Sequence, residues 1–206
     1  MARDVPLSPD RSVTATYDVG LVGLGAVWSA AALQLARRGL RIIGFDRFAP
    51  PHTLGSSHGH VRLIRQAYYE GQLYVPLVRR AFELWRALDE QSGGRLLTPT
   101  GVLMVGRAES GIVTGAAESA RAYDIPHEML GAHEIMERFP AFVAGSDHVA
   151  LYEPGAALLH PELCIAYQLE LASRQGAHLC FNEPVTRWTE TEDGIELTTF
   201  GFSFRT

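Results

Sequence analysis

The sequence predicts an α/β fold built around a parallel sheet. Three observations support this prediction: an apolar run at residues 17–22, alanine and leucine at helical spacing in residues 29–38, and a second apolar run at residues 41–45. Short uninterrupted apolar runs are typical of strands that are buried on both faces in a parallel sheet. Gly39 follows the helical pattern where a glycine commonly ends a helix. Strand, helix and strand therefore follow one another at the start of the chain.

The composition is that of a globular protein without a nucleic-acid partner. The 206 residues are 47% hydrophobic and 20% charged, which suits one large domain or two small ones. The formal net charge is −5 and no run of Lys and Arg occurs. The sequence therefore predicts no basic patch that would attract nucleic acid or an anionic membrane. Cys164 and Cys180 form no CxxC pair and are expected to be reduced thiols, which favours the cytoplasm.

Residues 19–36 carry no charge, and this stretch reaches the lower length limit of a membrane span. Three glycines cluster in its first third, and Asp18 and Arg37 border it. Glycines at one end suit a strand, a turn and a helix better than one continuous helix. We therefore expect no membrane segment.

A glycine motif joins the first strand to the helix. Gly23 permits a tight turn, and Gly25, after Leu24, lets the backbone approach a pyrophosphate at the helix N-terminus. Asp46 lies 23 residues beyond Gly23, where a carboxylate can accept a hydrogen bond from a ribose 2′-OH. This spacing predicts a Rossmann-like dinucleotide site and does not separate FAD from NAD. Asp46 argues mildly against NADP, although the adjacent Arg47 could meet a 2′-phosphate.

The motif departs from G-x-G-x-x-G at its third glycine, where Trp28 stands. That glycine serves close packing of the helix on the strand. We therefore expect the indole to push the helix outward or to turn across the phosphate position, which would weaken or abolish binding.

The pattern changes after the second strand. A polar segment at residues 50–71 has no hydrophobic period and is expected to be a functional loop. The patterns that follow predict helices at residues 74–88, 115–123 and 161–175, a short helix ending at Pro140, strands at residues 101–105 and 177–181, and a hairpin at residues 185–199.

The loop contains the element Gly-Ser-x-His-Gly-x-x-Arg-x-x-Arg at residues 55–65. Placed after the acid of a nucleotide fold, this element resembles the monomeric sarcosine oxidase and N-methyltryptophan oxidase family of flavin amine oxidases. The likeness continues through residues 98–103, 153–155 and 162–164, and it covers about residues 17–199.

The resemblance implies a Rossmann-like FAD-binding domain with an inserted part of an α+β substrate domain. His58 and Arg62 would lie beside the flavin ring, and Arg65 would bind the substrate carboxylate; these three are the expected catalytic residues. The residues implied for FAD are Gly23, Leu24, Gly25, Ala26, Val27, Asp46, Arg47, Ser56, His58, Arg62 and, through its backbone at the adenine, Val185. The expected segments are a mobile extension (residues 1–16), the FAD-binding domain in two parts (17–96 and 159–206) and a partial substrate domain (97–158).

The implied reaction is oxidation of the C–N bond of a secondary N-methyl amino acid, with FAD as cofactor and O2 as acceptor, by a monomeric enzyme. The flavin carries the redox step, and the protein supplies orientation and electrostatics. An arginine near the ring would favour the negative charge of reduced flavin.

Two further departures from the family pattern matter. Val61 stands where the family has threonine, so a hydroxyl contact is lost. The chain has about half the family's length, residues 200–206 do not resemble it, and the family's oxygen-activating lysine and flavin-attachment cysteine lie later. We therefore expect the 206-residue chain to be inactive on its own.

Two other functions remain open on the sequence. A nicotinamide-dependent dehydrogenase shares the glycine motif, and a non-catalytic remnant is consistent with the half length and Trp28. His58 and His60 could be a metal pair, but no third ligand is placed by spacing, so we predict no metal site.

Overall fold

A computed structural model describes residues 16–200 and 203–206 of the chain. The predicted extension at residues 1–16 thus lies outside the described residues, apart from Thr16. The strands are β1 (Val19–Val22), β2 (Ile42–Phe45), β3 (Arg62–Ile64), β4 (Leu97–Pro99), β5 (Val102–Arg107), β6 (Glu128–Gly131), β7 (His148–Glu153), β8 (Ala157–Leu159), β9 (His178–Cys180), β10 (Arg187–Thr191), β11 (Gly194–Thr198) and β12 (Ser203–Arg205). The helices are α1 (Ala26–Ala36), α2 (Val75–Ser92), α3 (Gly111–Ala122), α4 (Ala132–Arg138) and α5 (Pro161–Arg174), with a 3-10 turn at Gln72–Tyr74.

The chain forms two compact units. Of the described residues, the first combines residues 16–59 with 161–200 and 203–206, and the second comprises residues 60–160. Residues 60–96, which the sequence assigns to the FAD-binding part, have their contacts in the second unit. The functional domain boundaries stay a prediction.

The first unit is built on a parallel sheet with the strand order β1-β2-β9. Val19 pairs with Ile42 and Val22 with Phe45, so the carboxyl ends of β1 and β2 lie side by side. β9 joins the other edge of β2, again in parallel. The predicted strand–helix–strand unit and the predicted returning strand are therefore confirmed.

Helix α1 packs closely on α5 within this unit. Its buried residues are Ser29, Ala32, Leu33 and Ala36, and the polar one, Ser29, donates a hydrogen bond of 2.9 Å to the Oε1 atom of Gln168. Both polar side chains are buried, so each satisfies the other. Gly39 follows α1 in the left-handed region, with φ +81°, as its predicted role at the helix end requires.

An antiparallel meander, β10-β11-β12, completes the first unit. Leu197 and Phe204 from the meander share a buried cluster with Ile43 and Phe45 of β2. The predicted hairpin is confirmed as β10 and β11, and β12 adds a third strand in register with β11.

The second unit holds two three-stranded antiparallel sheets, β3-β8-β4 and β5-β7-β6. Helix α3 packs on β5 and β7 through a small-residue core that includes Ala67 and Ala116. The prediction of a loop throughout residues 50–71 is wrong at β3, because pairing with β8 makes a strand there without any hydrophobic period. Among helices α1–α5, none has the length and hydropathy to span a bilayer.

Gly115→Ala in α3 is expected to destabilise the protein by about 1–3 kcal/mol, because overpacking carries that cost. Its Cβ would lie 2.7 Å from the carbonyl oxygen of Tyr69. In an open helix the same change stabilises by roughly 0.5–1 kcal/mol. Gly111→Ala is the matched control, since no neighbouring atom lies within 4 Å of a Cβ there. Urea unfolding followed by circular dichroism measures both, and equal stabilities would contradict the prediction.

Candidate dinucleotide site

The turn between β1 and α1 has the geometry that its glycines predict. Gly23 has φ +85°, which only glycine adopts readily, and its N–H donates to the carbonyl oxygen of Phe45 at 2.8 Å. Gly25 is the N-cap of α1 and has an extended backbone. The N-terminus of an 11-residue helix therefore follows three residues after the end of β1.

Asp46 ties this turn to the end of β2. The side chain is buried, with 8% of its surface exposed. Its Oδ2 atom accepts from the Leu24 N–H at 2.8 Å, and Oδ1 accepts from the Phe48 N–H at 2.9 Å and contacts His52 Nε2 at 3.3 Å. These contacts use three of roughly four acceptor positions of a carboxylate. One position is left for a hydroxyl, and a second hydroxyl would have to displace His52.

A cavity of about 570 Å³ opens beside Asp46 and lies wholly within the first unit. Its volume is typical of a small-molecule site. Of the residues predicted for the cofactor, six line it: Gly23, Gly25, Asp46, Arg47, Ser56 and Val185. Leu24, Ala26, Val27 and His58 belong to the same unit but do not line the cavity.

The loop after β2 closes over the start of α1. Ser57 Oγ accepts a hydrogen bond of 3.2 Å from the Ala26 N–H, the first N–H of the helix. A Cβ on Gly25 would lie 3.2 Å from the same oxygen. A helix N-terminus favours an anionic acceptor at this position, so the serine hydroxyl stands where a phosphate oxygen could bind.

Several lining residues were missed in the sequence: Phe48, Pro50, Pro51, His52, Ser57, Glu183 and Pro184. Glu183 reaches the cavity because its N–H donates to the Asp46 carbonyl oxygen at 2.9 Å, just beyond the end of β9. No local pattern marks it. The rule that ligands bind at the carboxyl ends of parallel strands would have pointed to the segment after β9.

Trp28 does not occupy the phosphate position. Its side chain is 46% exposed and does not line the cavity, whereas the neighbouring Ser29 is fully buried against α5. The expectation of an indole across the phosphate site was therefore wrong. The reason is helical geometry, because Ser29 takes the buried face of α1 and leaves Trp28 on an exposed one.

The three expected catalytic residues have different surroundings. His58, in the first unit, contacts the Gly55 carbonyl oxygen through Nδ1 at 2.6 Å. Arg62 and Arg65 belong to the second unit, and the exposed Arg62 donates from Nη1 to the Val61 carbonyl oxygen at 2.9 Å.

Arg65 is held by an ion pair and by two aromatic rings. Its Nη2 atom donates to both carboxylate oxygens of Glu70, at 2.9 and 2.8 Å. Its guanidinium carbon lies 4.5 Å from the ring centre of Tyr68 and 5.0 Å from that of Tyr69. Only 13% of the Arg65 side chain is exposed. Arg65 is therefore arranged to bind a carboxylate, and in this structure the carboxylate that it binds is that of Glu70.

Cys180 lies beside a small polar cluster at the end of β9. Its sulfur is 3.7 Å from His178 Nε2, and Tyr17 Oη lies 2.7 Å from Nδ1 of the same ring. Burial raises the pKa of the Cys180 thiol, and the Glu183 charge raises it further. Burial, followed by the charge of Cys180, also raises the pKa of Tyr17. The thiol is thus protonated at neutral pH and is a poor nucleophile and metal ligand.

Neither cysteine is in a disulfide, and residues 16–200 and 203–206 contain no three His, Cys, Asp or Glu side chains placed to hold a metal ion.

A family model described as "FAD dependent oxidoreductase" matches residues 18–205. For residues 200–205 the match corrects the expectation that residues 200–206 leave the family pattern. Strand β12 explains the continuation, since it pairs in register with β11 and buries Phe204.

Curated relatives agree with this match. The chain is 48% identical over 184 residues to the monomeric sarcosine oxidase of Streptomyces avermitilis, covering 89% of this chain and 48% of that protein. It is 36% identical over 183 residues to the N-methyl-L-tryptophan oxidase of Yersinia pestis, covering 89% and 49%. The chain thus spans about half the length of the curated relatives it matches.

Solved structures give the same fold. The amino acid oxidase NikD, essential for nikkomycin biosynthesis, superposes with a TM-score of 0.82 at 29% identity, covering 93% of this chain and 50% of NikD. The L-proline dehydrogenase of P. horikoshii gives a TM-score of 0.81 at 20% identity, covering 94% and 52%, and supports the fold alone.

Asp46→Asn is expected to lower the free energy of unfolding by about 1–3 kcal/mol in the absence of any ligand, the usual cost of an unsatisfied buried polar group. The amide can accept only through one atom, so the Leu24 or the Phe48 N–H loses its partner. Asp193→Asn, at an exposed carboxylate in the turn between β10 and β11, should stay within about 0.5 kcal/mol of the original protein. Urea unfolding measures the free energy of unfolding of both variants. Equal changes in this free energy at the two positions would refute the role of Asp46 in the turn.

Proposed function

Since the chain belongs to the FAD dependent oxidoreductase family, we propose that it serves in oxidising the C–N bond of a secondary N-methyl amino acid of the sarcosine or N-methyltryptophan type. The single observation that carries the proposal is the cavity at the carboxyl ends of β1 and β2. A glycine turn, a helix N-terminus and a buried carboxylate converge there. Two relatives whose names include these substrates support the substrate class.

The cavity fits the ADP half of FAD. Gly23 and Gly25 would let the pyrophosphate approach the N-terminus of α1, where aligned N–H groups favour negative charge. Asp46 would accept a ribose hydroxyl through its remaining acceptor position. Val185 lines the same cavity and would contact the adenine through its backbone. Leu24, Ala26, Val27, Arg47 and Ser56 complete the set proposed around the cofactor.

The bound flavin would supply the acceptor for the hydride that leaves the substrate C–N bond. The chain's own contribution is electrostatic. Arg62 would stabilise negative charge at the ring, and His58 would lie beside it. We also propose O2 as the final acceptor and, because both cysteines are unbridged, the cytoplasm as the location.

Arg65 would bind the substrate carboxylate. Its guanidinium is already oriented by Glu70 and by the rings of Tyr68 and Tyr69. Binding would exchange one carboxylate for another. Glu70 is well placed for this exchange, because 41% of its side chain is exposed and it can be hydrated when it leaves.

FAD binding tests the cofactor part of this proposal. The purified chain should take up FAD and show the bound-flavin absorption spectrum. Gly25→Val should bind at least about tenfold more weakly, because the added methyl groups obstruct the approach to the helix. Gly111→Val, at an unobstructed glycine of α3, is the control and should bind normally. Tight NADH binding without FAD uptake would favour the dehydrogenase alternative instead.

Turnover tests the extent of the activity. The FAD-loaded 206-residue chain, given sarcosine in air, is expected to release no peroxide, because it covers only about half of the relatives that carry the activity. Peroxide release above that of free FAD, and lost in Arg65→Ala, would contradict this expectation while supporting the substrate proposal. A chain that binds neither FAD nor sarcosine would favour the non-catalytic alternative.

A further inference from the structure

Glu153, at the end of β7, is a fully buried carboxylate that the proposed chemistry does not use. It accepts hydrogen bonds from two consecutive backbone groups. The Gln66 N–H lies 2.9 and 3.1 Å from its two oxygens, and the Ala67 N–H lies 2.9 Å from Oε2. These two residues immediately follow Arg65 in the chain.

Ser119 on α3 holds the next residue of the same segment. The side chain is 1% exposed, and its hydroxyl donates to the Tyr68 carbonyl oxygen at 2.5 Å. Gly115, one helical turn earlier, allows α3 to approach the Tyr69 backbone. Among the described residues, seven polar or charged residues are buried, and two of them, Glu153 and Ser119, bind this three-residue stretch.

The topology brings Glu153 to this place. β3 pairs with β8, and Glu153 ends β7 just before the turn to β8, which contains Pro154 and Gly155. The chain that leaves β3 therefore runs past the end of β7. Ala67 is fully buried in the apolar core of the unit, where an unsatisfied backbone N–H would be costly.

The anchored segment, residues 66–70, carries the two rings and the carboxylate that lie against the Arg65 guanidinium. Tyr68 and Tyr69 supply the two rings, and Glu70 supplies the carboxylate. An arginine side chain loses rotamer freedom when it is ordered, so a backbone fixed by β3 before Arg65 and by the two anchors after it limits where the planar fork points. Glu153 and Ser119 thus fix the backbone after Arg65, and the fixed backbone in turn restricts the orientation of the arginine side chain.

We propose that Glu153 and Ser119 are positioning residues for carboxylate recognition by Arg65. The inference rests on the proposed function, in which Arg65 binds the substrate carboxylate. Neither residue touches the substrate in this scheme. Their effect is to keep Arg65 between the two tyrosines, so that an incoming carboxylate meets a fork that is already oriented.

Glu153→Gln and Ser119→Ala test the proposal, each with a matched control in the same unit. Asp89→Asn is the control for Glu153→Gln, since Asp89 Oδ1 also accepts two consecutive N–H groups, from Leu96 and Leu97. Ser92→Ala is the control for Ser119→Ala, because Ser92 is buried and donates to the Asp89 carbonyl oxygen. Both controls lie away from the anchored segment.

The first measurement is the rate at which phenylglyoxal modifies Arg65, followed by peptide mass spectrometry. Arg138, ion-paired with Glu128 in the same unit, serves as the internal reference. Each anchor variant is expected to raise the Arg65 rate about tenfold relative to Arg138, which corresponds to about 1.4 kcal/mol. The control variants should leave the ratio unchanged. A ratio in Ser119→Ala equal to that in Ser92→Ala would overturn the proposal, even if Glu153→Gln failed to fold.

The second measurement is titration with acetate, observed at the Arg65 Nε resonance. Wild-type protein should show saturable binding, and the anchor variants should bind about tenfold more weakly. If acetate never perturbs Arg65 while the modification rates change as expected, the carboxylate function fails and the positioning of Arg65 stands. If acetate binds equally to wild type and anchor variants, positioning is overturned and the carboxylate function stands.

Discussion

The buried carboxylate of Asp46 holds together the two strand ends on which the candidate site is built. Parallel strands bring their carboxyl ends to one edge, but each chain leaves that edge in a different direction. Asp46 joins them by accepting from the turn after β1 and from its own loop after β2. Its backbone carbonyl then binds the segment that follows β9. One residue thereby fixes three connections, and the cavity is the space that these connections enclose.

The second unit uses the same chemistry for a different purpose. Glu153, like Asp46, is buried and accepts backbone N–H groups from a segment without regular structure. A carboxylate with two oxygens can satisfy several N–H groups at once, so it defines a loop more firmly than a neutral acceptor does. In the first unit the result is the cavity proposed for the dinucleotide, and in the second it is the proposed orientation of an arginine.

The sequence predicts those elements that are determined by residues close to one another in the chain. The helix-and-strand pattern around Gly23 and the hairpin near Gly194 follow from periodicity and turn chemistry, and both are present. β3 could not be predicted, because its three residues are a strand only through pairing with β8. Ser57 and Glu183 were missed for a similar reason, since they reach the cavity through the loop closure and the returning strand. Trp28 misled the prediction because the motif specifies a glycine but not the face of α1 that this position occupies.

The position of Arg65 shows why motif and geometry must be combined to assign a role. The motif places an arginine after β3, and any surface arginine would satisfy it. The structure adds that this guanidinium is largely buried, lies against two rings and binds an internal carboxylate. In such a site the arginine is already ordered and much of its water is already removed, so a ligand does not have to supply that free energy when it binds. A substrate carboxylate would bind Arg65 in this arrangement by replacing the partly exposed Glu70. The free energy of that contact would then serve to orient the reacting C–N bond.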